Sequence, residues 1–220
     1  IRRVFGPRYE LSFAAGGFLL GLGSLTLRWA LTPRERPFAA IPLLFAIQQF
    51  IEGVIWLTFS RDAALLNTVM THAYSFFSHV LWPGYVPLAV LLIEPPGRRR
   101  QALWAFVVAG LLVGSYLLYV LVMYPVVSRP TDQHVEYVSP HFFAAVAITL
   151  YLMSTSVSLV LSTHRVVKLF GALALLGFAA AYYFYAVWFI SVWCLFAALM
   201  SAVIGLHFVP RSPFLKVARP

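Results

Sequence analysis

From Leu11 onward the chain alternates between apolar stretches of about 20 residues and short runs rich in arginine, proline and glycine. At 1.5 Å of rise per residue, each stretch matches a hydrocarbon core roughly 30 Å thick. Lipid offers backbone groups no hydrogen-bond partners, so stretches that cross it are helical. The pattern predicts an all-α, polytopic membrane protein with seven transmembrane helices: Leu11 to Leu31, Phe38 to Phe59, Ala64 to Ile93, Ala102 to Tyr124, His141 to Ser162, Val167 to Tyr185 and Trp188 to Val209. Only Ala186 and Val187 separate the last two, which calls for a tight turn near "YYFYAVW". The third stretch is overlong and carries Pro83 and Pro87, and proline both removes a backbone donor and crowds the preceding turn, so this helix should bend.

The connections leave no room for a soluble domain, so residues 1–220 read as one transmembrane domain. Pro125 to Pro140, with three prolines and a polar middle, is the one connection long enough to form a lid. "EPPGRRR", Glu94 to Arg100, is a stiff basic corner suited to anionic headgroups. In the first helix, Gly17 and Gly21 have the four-residue spacing that lets helices approach closely.

Composition agrees with the pattern. Hydrophobic residues make up 61% of the chain, charged residues 10%, and the mean hydropathy is +0.85, values that exclude a soluble domain of this length. The net charge of +9 does not imply nucleic acid, because the basic residues sit at helix ends, where the positive-inside rule accounts for them. Of the 16 Lys and Arg, Arg2, Arg3, Arg8, Arg61 and Arg129 fall on the side of the N-terminus and the other eleven on the opposite side. This predicts an outside N-terminus, a cytoplasmic C-terminus and a multi-pass place in a bacterial inner membrane, with lipids as partners and a homo-oligomer or larger membrane complex as further company. The chain starts at Ile1 rather than methionine, pointing to a truncated or processed start. A single cysteine, Cys194, rules out an intrachain disulfide and any multi-cysteine metal cluster.

Against this background "AIQQFIEGVIW" is conspicuous. Gln48 and Glu52 share a face of the second helix, and His72, Ser75 and His79 share a face of the third. Counted from the outer helix ends, Glu52 and His72 each lie seven residues down, about 10 Å deep, so they are expected to pair. An ionised carboxylate facing lipid costs several kcal/mol, so Glu52 should face the bundle interior. Tyr151, Ser154 and Thr155, Tyr182 and Tyr183, and Ser191, Trp193 and Cys194 reach the same outer layer if they turn inward. The loop above brings Asp132, His134, Glu136 and Tyr137, and His141 opens the fifth helix. The expectation is an outward-facing polar pocket built on Gln48, Gln49, Glu52, His72, Ser75 and His79 that binds a cation, a proton or a small ligand. A single metal ion held by His72, Glu52 and His134 is one form of it. Two alternatives stand beside it: interhelical hydrogen bonds with no ligand, as in an accessory or structural subunit of a larger complex, and a membrane-embedded metal-dependent hydrolase. No HExxH, CxxC or EF-hand pattern occurs.

"SFAAGGFLLGLGSLTLR", "FAAIPLLFAIQQFIEGVIWL" and "SVWCLFAALMSAVI" resemble a family of bacterial multi-helix membrane proteins described as a domain of unknown function. The likeness spans nearly the whole chain and centres on QQxxEGxxWL at Gln48 to Leu57 and SVWC at Ser191 to Cys194. It implies the fold and no activity. Family members begin with Met-Cys-Phe-Ser ahead of the segment matching Ser12 to Gly17, where this chain has Arg8, Tyr9, Glu10 and Leu11. Ser75 and His79 are also similar to the Ser-xxx-His step of the alkaline ceramidase and adiponectin-receptor superfamily, which would imply a zinc hydrolase. Its late His-xxx-His is reduced here to His207.

Overall fold

The computed structural model describes residues 9–61, 63–131, 134–140, 142–184 and 189–209, with the side chains of 184 and 189–191 outside that description. The helices are α1 (Tyr9–Trp29), α2 (Arg36–Ala39), α3 (Ile41–Arg61), α4 (Ala64–Ser75), α5 (Trp82–Ile93), α6 (Arg98–Met123), α7 (Ala144–Leu152), α8 (Ser158–Leu161), α9 (Arg165–Phe184), α10 (Phe189–Met200) and α11 (Ala202–Phe208). A π-helical segment, Phe76–Leu81, joins α4 to α5, and a second, Met153–Val157, joins α7 to α8. Six helical runs are long and apolar enough to cross a membrane: Tyr9–Trp29, Arg36–Arg61, Ala64–Ile93, Arg98–Met123, Ala144–Leu161 and Arg165–Tyr183. The seventh stretch is the shorter apolar run Val192–Phe208, interrupted at Ser201 between α10 and α11. The turn expected at Tyr185 to Trp188 lies outside the described residues.

One end of the bundle is held by polar contacts to backbone. Thr26 donates to the Ala39 carbonyl at 2.7 Å, and Tyr85 donates to the Pro37 carbonyl at 2.8 Å. The carboxylate of Glu94, only 2% exposed, accepts from Ser162 Oγ at 2.8 Å and from the Thr163 amide at 2.9 and 3.1 Å. Thr163 sits just ahead of α9, where the amides of a starting helix have no partners of their own and favour a negative charge. At the same end the His164 and His207 rings meet edge to face at 5.1 Å, which brings the end of α11 beside the start of α9. At the other end, Val127–Thr131 (β1) and His134–Val138 (β2) pair antiparallel, with Ser128 opposite Tyr137 and Pro130 opposite Val135. The expected lid is therefore a β-hairpin. It packs against α3, α4 and α10.

The bend expected at Pro83 takes the form of a changed hydrogen-bond register. The Trp82 amide bonds to the Phe77 carbonyl, five residues back. In that register the next donor would be residue 83, which is proline and has no N–H, so the Ser78 carbonyl is left over. Tyr151, on α7, supplies the missing bond through its hydroxyl. Pro87 likewise cannot donate to the Pro83 carbonyl, and that oxygen is turned toward Gly110 of α6: a Cβ added at Gly110 would lie 1.8 Å from it.

The glycines of helix α1 require a correction. Gly17 and Gly21 are exposed with nothing within 4 Å of an added Cβ; the close approaches are at Gly16, against the Phe50 ring, and Gly23, where the Leu43 backbone nitrogen would be 2.6 Å away. The packed glycines, Gly16 and Gly23, stand seven apart, and it is the Leu19 and Thr26 side that packs inward. Gly110→Ala should lower stability by about 2 kcal/mol or more, since the obstructing atom is backbone, whereas Gly21→Ala should be neutral or slightly stabilising. Melting temperatures of the two variants in one detergent check this directly.

Candidate functional site

The inward face of the third membrane helix consists of Thr71, Tyr74, Ser75 and Ser78, all buried, at the i, i+3, i+4, i+7 spacing of one helical stripe. Opposite lie Gln48 and Gln49, fully buried, and Glu52, 3% exposed. Gln48 is oriented by Trp82, whose indole donates to Oε1 at 2.7 Å while stacking on Phe45 at 4.0 Å. From above, Tyr137 of the hairpin stacks on Tyr74 with ring centres 4.5 Å apart and planes 2° from parallel. Glu52 is near enough to interact electrostatically with Tyr74, Tyr137 and Cys194, and the Cys194 thiol lies beside Tyr74 and Gln48. A buried polar cluster results, in which Glu52 is near Tyr74, Tyr137 and Cys194, and Gln48 is beside the thiol.

Its polar capacity is not used up within the protein. Gln48 Nε2, both amide atoms of Gln49, and the hydroxyls of Tyr74, Ser75 and Tyr137 are buried without a formed hydrogen bond to another protein group. The thiol is a weak partner that leaves the Tyr74 hydroxyl and the Gln48 amide nitrogen open. Each such group costs about 1–3 kcal/mol when left unmatched, so their gathering around one carboxylate describes a site with donors and acceptors to offer.

The hairpin is fastened by a chain of hydrogen bonds. Thr71 donates to Ser128 at 2.8 Å, Ser128 to Asn67 Oδ1 at 3.1 Å, Asn67 Nδ2 to Thr58 at 2.8 Å, and Thr58 to the Ile55 carbonyl at 2.6 Å. Beneath it, Val135 is fully buried and Tyr137 nearly so. On the outer face Thr131 donates to Glu136 at 3.3 Å.

Several expected site residues lie elsewhere. The Glu52–His72 pair does not form: His72 is half-buried and its Nδ1 lies 2.8 Å from the Thr68 carbonyl of its own helix. The face was assigned from the histidines, but Thr71, Tyr74 and Ser78 set it, and His72 and His79 flank it. His79 Nδ1 is 2.8 Å from Ser78 Oγ and 3.2 Å from the Ser75 carbonyl, and His79 faces a second, apolar cavity instead. Among the described residues no three His, Cys, Asp or Glu are placed to hold a metal ion, so the set His72, Glu52 and His134 is not assembled. His207 packs on Phe38 and His164 at the far end and cannot join His79. Tyr182 and Tyr183 are exposed, at 60% and 81%. Asp132, His141 and the Ser191 side chain lie outside the description. Tyr151, Ser154, Thr155, Trp193 and Cys194 are buried, as the inward reading required. Tyr137 comes over the layer from the loop as expected, while Tyr74 and Trp82 were missed; the Thr71–Ser78 stripe was the signal for the first.

The chain belongs to the family of unknown function DUF6629, whose model matches residues 10–219. No curated protein and no solved structure matches it.

Burial, then the nearby Glu52 and Cys194, hold the Tyr137 phenol well above its ordinary 10.0. The folded state therefore keeps a proton that the unfolded chain loses near pH 10, so its contribution to stability is complete below that pH and is lost as pH rises above it. Ultraviolet titration should show phenolate from Tyr137 appearing only above pH 10 together with hairpin release, and Tyr137→Phe should delete that component.

Proposed function

We propose that this protein is a multi-pass membrane protein whose polar cluster around Glu52 binds one monovalent cation, with a proton as its competitor. The carrying observation is the buried carboxylate set among unmatched amide and hydroxyl groups. A carboxylate in the bundle interior needs a positive charge or a proton, and one carboxylate balances one charge. The oxygens of Gln49, Tyr74 and Tyr137 are ligands of the kind hard cations take. The free amide nitrogens of Gln48 and Gln49 need acceptors, which the remaining water of a partly hydrated cation supplies. The hairpin covers this cluster on the side that the charge distribution assigns to the outside.

The same reading has seven crossings in a bacterial inner membrane with the C-terminus cytoplasmic. Its support is the eleven-to-five split of basic residues and the position of α11, whose His207 adjoins the Glu94 end while Cys194 of α10 adjoins the hairpin end. In intact cells an impermeant maleimide should label Arg129→Cys and leave Arg99→Cys unlabelled; the reverse pattern would overturn the orientation. Cys194 is buried and should stay silent in both.

For the cluster, melting temperature in nanodiscs should rise with sodium or potassium relative to choline at equal ionic strength, as binding to the folded state alone requires. Glu52→Gln should fold and lose that dependence. Equal melting in all three salts would leave the cluster as interhelical hydrogen bonding and put the accessory-subunit reading first.

A further inference from the structure

A second cavity lies on the other side of the Phe76–Leu81 segment, between it and helices α6 and α7, and nothing above assigns it a role. We propose that it binds an uncharged lipophilic molecule bearing one hydrogen-bonding oxygen, with a body the size of a phenol ring or the end of a single lipid chain. The inference does not rest on the cation reading; the two sites share only Ser75 and Cys194 in their walls.

Size comes first. The cavity has a volume of about 130 Å³, close to the roughly 150 Å³ of an apolar cavity that stays dry and takes up benzene. Leu117, Val120, Ala147, Ile148 and Trp193 are among the apolar residues that line it. Among the described residues no Asp, Glu, Lys or Arg lines it, so a charged ligand would find no ionic partner there.

The polar end is defined by elimination. Four hydroxyls besides that of Ser75 line the walls: those of Ser78, Tyr116 and Tyr151 are already spent, on the Ser75, Phe142 and Ser78 carbonyls respectively, and Ser139 is half-buried at the rim rather than enclosed. Ser75 lines the cavity, is 1% exposed, and its Oγ has no partner. A ligand hydroxyl or carbonyl meeting Ser75 would satisfy the buried lining hydroxyl that the fold leaves unmatched. Phe142 also lines the cavity and is 47% exposed, so the way in lies between α6 and α7, where the outer surface of the bundle meets lipid.

Fluorine NMR of the purified protein in detergent tests this with 4-fluorophenol and fluorobenzene. Both should give a protein-dependent bound resonance, 4-fluorophenol binding about tenfold more tightly, the value of one matched hydrogen bond. Ser75→Ala should erase the preference while keeping fluorobenzene binding. Ala147→Phe, which fills the cavity, should abolish both, with Ile148→Trp as a second filling variant should the first not fold. Glu52→Gln should leave both ligands bound, which separates this proposal from the cation site. In nanodiscs of phosphatidylcholine with dibrominated chains, quenching of the fluorescence that Trp193→Phe removes, relieved by 4-fluorophenol, would identify the occupant as a lipid chain; binding of 4-fluorophenol without such quenching would identify a free lipophile. Absence of a bound resonance with the wild type, or filling variants that melt normally and bind both probes unchanged, would overturn the proposal.

Discussion

A hydrocarbon solvent makes no hydrogen bonds, and every peptide group that a proline deprives of its partner must find another within the protein. The arrangement of this bundle follows from that constraint at two points. Pro83 leaves the Ser78 carbonyl over, and Tyr151 crosses from α7 to take it; Pro87 leaves the Pro83 carbonyl over, and it comes to rest against Gly110, where no side chain intervenes. Both repairs recruit the fourth and fifth membrane helices to the bent third one. Around this wide turn Tyr74 lies near Glu52 and Cys194, while Ser75 and His79 line the apolar cavity.

Much of this architecture is legible in the chain. Hydropathy locates six long helices to within a few residues, because an apolar run of 20 residues has few alternatives to crossing a bilayer. The inward placement of Gln48, Gln49 and Glu52 follows from cost alone. What pattern could not supply was which neighbours they meet. Depth matching chose His72 because histidine is the conspicuous polar residue, yet a helix face is set by all its members, and tyrosine and threonine carried the phase. The hairpin was equally hidden: "VSRPT" and "HVEYV" gain their strand character from pairing with each other, and Tyr137 gains its place by stacking on a residue 63 positions earlier, information absent from any local window.

The polar residues divide into two kinds. Asn67, Thr58, Thr71 and Ser128 saturate one another and hold the hairpin down, as does Glu94 with Ser162 and Thr163 at the opposite end. These are structural by their completeness. The amides of Gln48 and Gln49 and the phenols of Tyr74 and Tyr137 are incomplete in the same protein, only a turn or two away, so incompleteness there is not a general looseness of packing.

The hairpin joins residues far apart in the order of synthesis. Glu52, Gln48 and Gln49 enter the bilayer when only the first helices exist, long before Tyr137 and Cys194 have been made. Until then the nascent chain must carry an uncovered acidic helix, and hydrophobic insertion alone has to keep it in place: a centrally placed acidic side chain adds about 3 kcal/mol to the insertion of a helix, which the surrounding Ile, Leu, Phe and Trp of α3 must outweigh. Roofing by the hairpin is consequently a late step of assembly, reached only after the chain between Glu52 and Cys194 has been threaded, and misthreading of any intervening helix would strand the glutamate without its walls.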